Sequence, residues 1–261
     1  MFNPLILIPR VSTLFLLFFT LSINGMQLPP AARYWHGAVF GEVYRDAVSS
    51  LVNPALLATG KRGVAVFATQ PFGMVGIPLY TAAAMFPVGN MGVGMRLMQF
   101  GNQYWRQQEI SGGMGIGLGK LAQAGVQFGY RGKAVVQYGS SGNVVAGANL
   151  RWKVAKDWTS AVQVLRGDYL QYFAGIGWQP SPALLFSVEG SNTKDKKYYG
   201  TVQVVTSLVP ALALQLAITG LPAYLQALVL ITMRQFRMDI GAAFHQQLGL
   251  TPSITLVWQK Q

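Results

Sequence analysis

His36 and His245 are the only imidazoles in the chain. In an extended segment His245 shares a face with Asp239 and Arg237, because residues two apart point the same way. A histidine oriented by a carboxylate is the usual base for a serine nucleophile, and membrane lipases and acyltransferases place a His near a Ser. Here no Gly-x-Ser-x-Gly elbow is present, and no spacing brings Ser111, Ser187 or Ser207 to His245. Two histidines, no cysteine and eight dispersed acidic residues give no metal-ligand spacing. The expectation is a chain that is not an enzyme and holds no cofactor.

Met114-Gly115-Ile116-Gly117-Leu118-Gly119 superficially suits phosphate binding. A dinucleotide fingerprint, however, needs a strand, then a glycine turn, then a helix. These glycines, with Gly113, instead fall on one face of an alternating segment, where missing side chains let a packed element come close.

The remaining chemistry is charge. Net charge is +12, yet only 11% of residues are charged and 51% are hydrophobic; a soluble domain has about 25% charged residues. Nucleic acid is not the expected partner, because Arg131, Lys133, Arg151 and Lys153 lie on wet strand faces rather than in a basic tail or helix.

The elements that carry these charges are read from alternation. From Ala122 to Tyr138 the even positions include Ala124, Val126, Phe128, Tyr130 and Tyr138, while the odd ones include Gln123, Gln127, Arg131 and Lys133. Val144, Leu150, Trp152 and Val154 alternate in the same way with Asn143, Asn149, Arg151 and Lys153. Such strands have one face in grease and one in water. About fourteen of them fit between residues 63 and 260, an even number as single-chain outer-membrane barrels require. Turns are expected at Gly89-Asn90, Lys156-Asp157, Pro180-Ser181-Pro182 and Val209-Pro210, and also at Gly139 to Asn143 and at Thr251-Pro252. The fold class is therefore all-β, a transmembrane antiparallel barrel in outer-membrane lipid.

A charge facing lipid at mid-membrane costs about 2–4 kcal/mol. Arg96, Arg131, Lys133, Arg151, Lys153, Arg234 and Arg237 should accordingly point into the lumen, with Glu189 and Asp239 as their acids. A sealed interior in which these groups pair is expected ahead of an open, anion-preferring pore.

Residues 1–25 carry Arg10 and the apolar run Val11 to Leu21 and read as a signal peptide, which implies export to the outer membrane of a Gram-negative-type bacterium. Residues 26–62 lack alternation, are rich in Ala and Leu, and are read as short helical turns split by Pro54, a plug or hatch for the barrel at 63–261.

The stretch Arg45 to Ala58, with Asn53-Pro54-Ala55 ahead of the first strand, resembles the N-terminal signature of the FadL/PorV-type outer-membrane proteins. Val52 stands where an aromatic is usual, and Leu56 where a glycine is. The resemblance implies a fourteen-stranded barrel behind an N-terminal plug. It implies either uptake of hydrophobic small molecules, in the FadL branch, or a partner role in type IX protein secretion, in the PorV/PorQ branch. Short loops favour the second: a non-enzymatic subunit or scaffold of an outer-membrane secretion complex with a protein partner. The alternative is a FadL-like transporter of hydrophobic or anionic small molecules.

Overall fold

The computed structural model describes residues 37–193, 198–220 and 224–260. The expected signal peptide lies outside these residues. The alternating segments form fourteen strands: β1 (Gly63–Thr69), β2 (Leu79–Val88), β3 (Met91–Gly101), β4 (Trp105–Leu118), β5 (Ala122–Val135), β6 (Gly139–Ala155), β7 (Trp158–Arg166), β8 (Leu170–Ser181), β9 (Leu184–Thr193), β10 (Tyr198–Val209), β11 (Leu212–Gly220), β12 (Tyr224–Met233), β13 (Phe236–His245) and β14 (Gly249–Gln259). Every strand pairs antiparallel with its sequence neighbours, and β1 pairs with β14 from Gly63↔Gln259 to Thr69↔Ser253. The sheet closes on itself and leaves no edge for another strand to join.

Register follows the pleat. Val64, Val66, Phe86, Leu97, Ile110, Phe128, Leu150, Ile218 and Leu256 are exposed on the outside, while Gln107, Gln127, Arg151, Gln203, Gln215 and Asp239 are buried within. A one-residue slip would send the buried set outward. An outer face this apolar is stable only in lipid, and a closed barrel satisfies every backbone group there. Among the described residues no helix is long and apolar enough to cross a membrane; the strands present the apolar face.

The two ends differ. At one end, which also holds the entry into β1 and the exit from β14, the connections are two or three residues long. At the other, the loop end, the β1–β2 connection is the long one, with a 3-10 turn at Pro71–Gly73.

Several local expectations are corrected. Residues 139–143 are strand, and the turn sits earlier, around Gln137 at φ 70, because β5 and β6 stay paired out to Val135↔Gly139. Thr251-Pro252 lies within β14 rather than in a turn; Pro252 falls just past the last β1–β14 pair, so its missing N–H interrupts no pair with β1. Arg234 does not face the lumen: β12 ends at Met233, and Arg234 occupies the turn with φ 52. Of the glycine run, Gly119 also leaves the strand and takes φ +72 in the β4–β5 turn.

Candidate functional site

The N-terminal segment folds by local rules before it meets the barrel. Helix α1 (Ala47–Val52) starts at Asp46, whose carboxylate accepts the Ser49 N–H at 2.8 Å while the Ser49 hydroxyl accepts the Asp46 N–H at 2.9 Å. This reciprocal cap satisfies two donors that a helix start leaves open. Asn53 is extended, as the residue before a proline should be, and its side-chain oxygen accepts the Ala55 N–H at 3.1 Å. Pro54 then opens a 3-10 turn, Pro54–Thr59, that leads to β1.

Residues 37–59 cross the lumen from wall to wall. Val48, Leu51 and Leu57 pack with Ala65, Phe67, Leu79, Met85 and Met98 on β1–β3. Val39, Phe40, Tyr44 and Leu56 pack with Ala161, Leu185, Val205, Ala213 and Leu230 on the far strands. Each large apolar side chain so buried contributes about 1.5–3 kcal/mol, more than one exposed ion pair does. The wall is cut to fit. A Cβ on Gly92 would overlap the Leu57 carbonyl, and one on Gly115 or Gly125 would overlap the backbone of Pro54 or Ala55. Only hydrogen at Gly115 and Gly125 lets the Asn53-Pro54-Ala55 turn lie against the sheet, and only hydrogen at Gly92 admits Leu57.

Charges lock the segment at the tight-turn end. Arg151 on β6 donates to the Val39 carbonyl at 2.7 Å and to Glu42 at 2.9 Å. Glu42 also meets Arg45 at 2.8 Å and Lys153, on the rim, at 3.6 Å. Burial pushes the Glu42 carboxyl up, but Arg45, Arg151 and Lys153 together outweigh it and hold the group below the usual carboxylate range. On the opposite wall Arg237 bridges Asp46 at 2.5 Å and Asp239 at 2.8 Å, and donates to the Tyr44 carbonyl at 3.2 Å. Gln163 and Gln259 reach the Val52 and Arg45 carbonyls, each at 2.8 Å, and the Tyr44 hydroxyl bonds Ser207.

A second cluster belongs to the wall alone. Glu109 pairs with Arg96 and, at 2.6 Å, with Arg131, while Asp168 in the β7–β8 loop takes Lys133 at 2.7 Å and Asn143 at 2.6 Å. Desolvation raises the Asp168 carboxyl, but Lys133, Asn143 and Arg131 hold it below its usual range. On the inner wall Gln107, Gln127, Asn149, Gln203 and Gln215 are also buried, with amide atoms that no described residue bonds.

The structure therefore brings Arg96, Arg131 and Lys133 together at one height, and Arg151, Lys153 and Arg237 around the N-terminal segment at another. Glu189 is apart from both. It borders a cavity of about 10 Å³ beside Phe40 and Asn53, room for a single water. His245 is engaged elsewhere: its Nδ1 accepts the N–H groups of Gln247 and Leu248 at 3.1 and 3.0 Å, which shapes the β13–β14 turn. Sequence reasoning missed Glu42, Arg45, Asp46 and Asp168. The signal was available for two of them, since Glu42 and Asp46 are the only acids before β1 and so many basic groups face inward.

No protein-family model matches the chain, and no curated protein matches it. Its fold is shared with solved outer-membrane channels. The CymD monoaromatic hydrocarbon channel superimposes with a TM-score of 0.69 at 8% identity, over 84% of this chain and 94% of that one. The TodX deltaS2S3 mutant monoaromatic hydrocarbon channel gives 0.57 at 8% identity, over 84% and 97%. The TodX deltaS2 mutant gives 0.55 at 8%, over 85% and 98%. At such identity the likeness is one of fold.

Proposed function

We propose that the protein is an outer-membrane channel for small molecules whose lumen is closed by its own N-terminal segment. The observation that carries this reading is the way residues 37–59 are held. They form a separate packed body inside a complete barrel, joined to it by apolar contacts and a few charged latches rather than by shared strands. Such a body can shift while the wall stays intact, which is what a gate requires. Small hydrophobic compounds are the first substrate class, on the analogy of the hydrocarbon channels that share the fold. Small anions are the second, favoured by Arg45, Arg151, Lys153 and Arg237 around the plug. The secretion-subunit role that the Asn53-Pro54-Ala55 signature also implies draws no support from these neighbours.

Planar bilayers and uptake measurements test the reading together. The intact protein should conduct weakly, and the double variant Glu42→Gln, Asp46→Asn should conduct in steady steps. Cells carrying the protein should accumulate toluene or benzoate faster than cells without it. A variant that stays silent, with no gain in uptake of either compound, would remove the channel reading.

A further inference from the structure

The outer wall is not level. On β2 and β5 the outward positions Ala82 and Gly132 are too small to fill the lipid face beside Tyr80 and Tyr130, and the surface there is hollowed by about 560 Å³. Val66, Leu97 and Ile110 line the hollow with apolar surface. A Cβ at Gly132 would meet only the Tyr130 ring edge, at 3.7 Å. The β2–β3 and β3–β4 ladders run unbroken beneath it, so this is a groove in the surface and not a gap into the lumen.

A second recess of about 290 Å³ continues toward the loop end, shares Gln108, Tyr130 and Gly132 with the first, and is bordered by Arg106, Ser140 and Ser141. Gln99 and Gln108, hydrogen-bonded at 3.1 Å on the outer face, mark where the apolar surface stops. Arg106 lies beyond them, exposed, and its guanidinium makes no hydrogen bond or ion pair with the described residues. The other cation at the recess, Lys133, is already taken by Asp168. Glu109, the one acid on the border of the groove, is turned inward to Arg96 and Arg131.

An uncovered cation is tolerated on a lipid face only near the headgroups, where its cost falls to about 0–1 kcal/mol. Tyrosines, with apolar bodies and polar tips, belong at the same depth. The longer connections of outer-membrane barrels face outside, which puts Arg106 at the outer leaflet. The geometry points to a binding site for an anionic outer-leaflet lipid, with one acyl chain in the Val66, Leu97 and Ile110 groove and its phosphate on Arg106. A volume of about 560 Å³ falls within the roughly 300–1,000 Å³ of small-ligand sites. The site stands whether or not the lumen opens.

Native mass spectrometry of the full-length protein in a maltoside detergent, titrated with 1-lauroyl-lysophosphatidate, provides the test. One lipid per barrel is expected, displaced neither by equal lauroylphosphocholine nor by equal inorganic phosphate. Arg106→Gln should bind about tenfold more weakly, the loss of one charge-assisted contact. Gly132→Trp, which fills the groove and leaves the charge, should abolish retention, and Lys156→Gln at the opposite end should change nothing. Unaltered binding by Arg106→Gln overturns the proposal. So does displacement by phosphate, which would mean a free-anion site, or equal affinity for the phosphocholine, which would mean a mere detergent groove. Should Arg106→Gln fail to fold, Gly132→Trp and the two competitions decide the matter.

Discussion

Asp46 carries two jobs that substitution can separate. Its carboxylate caps α1 through the Ser49 N–H and pairs with Arg237 across the lumen. Asp46→Asn keeps a capping oxygen and loses the charge; Asp46→Ala loses both. We expect the alanine variant to be less stable than the asparagine variant by about 1 kcal/mol, the usual worth of a cap. The asparagine variant should itself lose less than the roughly 3–5 kcal/mol of a broken buried pair, because Asp239 still faces Arg237. Guanidinium denaturation in phospholipid vesicles measures both differences. Glu42 offers a pH test. Its folded pKa is depressed below the unfolded value, so the latch is complete above about pH 4.3, the unfolded Glu value, and is lost as pH falls through the lower, folded value. Conductance should therefore rise in acid, and Glu42→Gln should conduct at neutral pH and lose that acid-dependent step. A flat pH response in the parent protein would show that Glu42 does not hold the plug.

Among the elements, the fit between the Pro54–Thr59 turn and the glycines beneath it is the most exacting. Gly115→Val and Gly125→Val each place carbon where the Pro54 or Ala55 backbone now lies. Both should displace the plug and raise conductance while the barrel keeps its heat-dependent gel mobility. Gly200→Ala on β10, where a Cβ meets nothing within 4 Å, should behave as the parent. The strands were legible in the sequence because a barrel wall obeys one rule everywhere, lipid on one side and lumen on the other, and period two records it. Misplaced turns came from composition. Gly139-Ser140-Ser141-Gly142 has turn residues, but Gly142 serves to accept the Tyr130 ring, whose hydroxyl a Cβ there would overlap. The partners of the inward charges were not legible, since Glu42 meets Arg151 and Asp46 meets Arg237 across separations that no local pattern encodes.

At the scale of the whole molecule, the absence of cysteine makes single-cysteine variants clean reporters of the wall. Cysteine at Val126 or Phe128 should react with lipid-soluble maleimides, and cysteine at Lys153 on the rim with water-soluble ones; the reverse pattern would mean a shifted register. The closure of β1 on β14 also orders events in time. The segment that fills the lumen directly precedes β1, and β14, which seals the seam, follows all the other described strands along the chain. A barrel zipped first would have to admit a folded helix and two apolar clusters through its own mouth, past the rim. Residues 37–59 should therefore serve as a mandrel, in place before β14 arrives, with the sheet wrapping around them; protease protection of residues 37–59 that appears only after the barrel has closed would overturn this order.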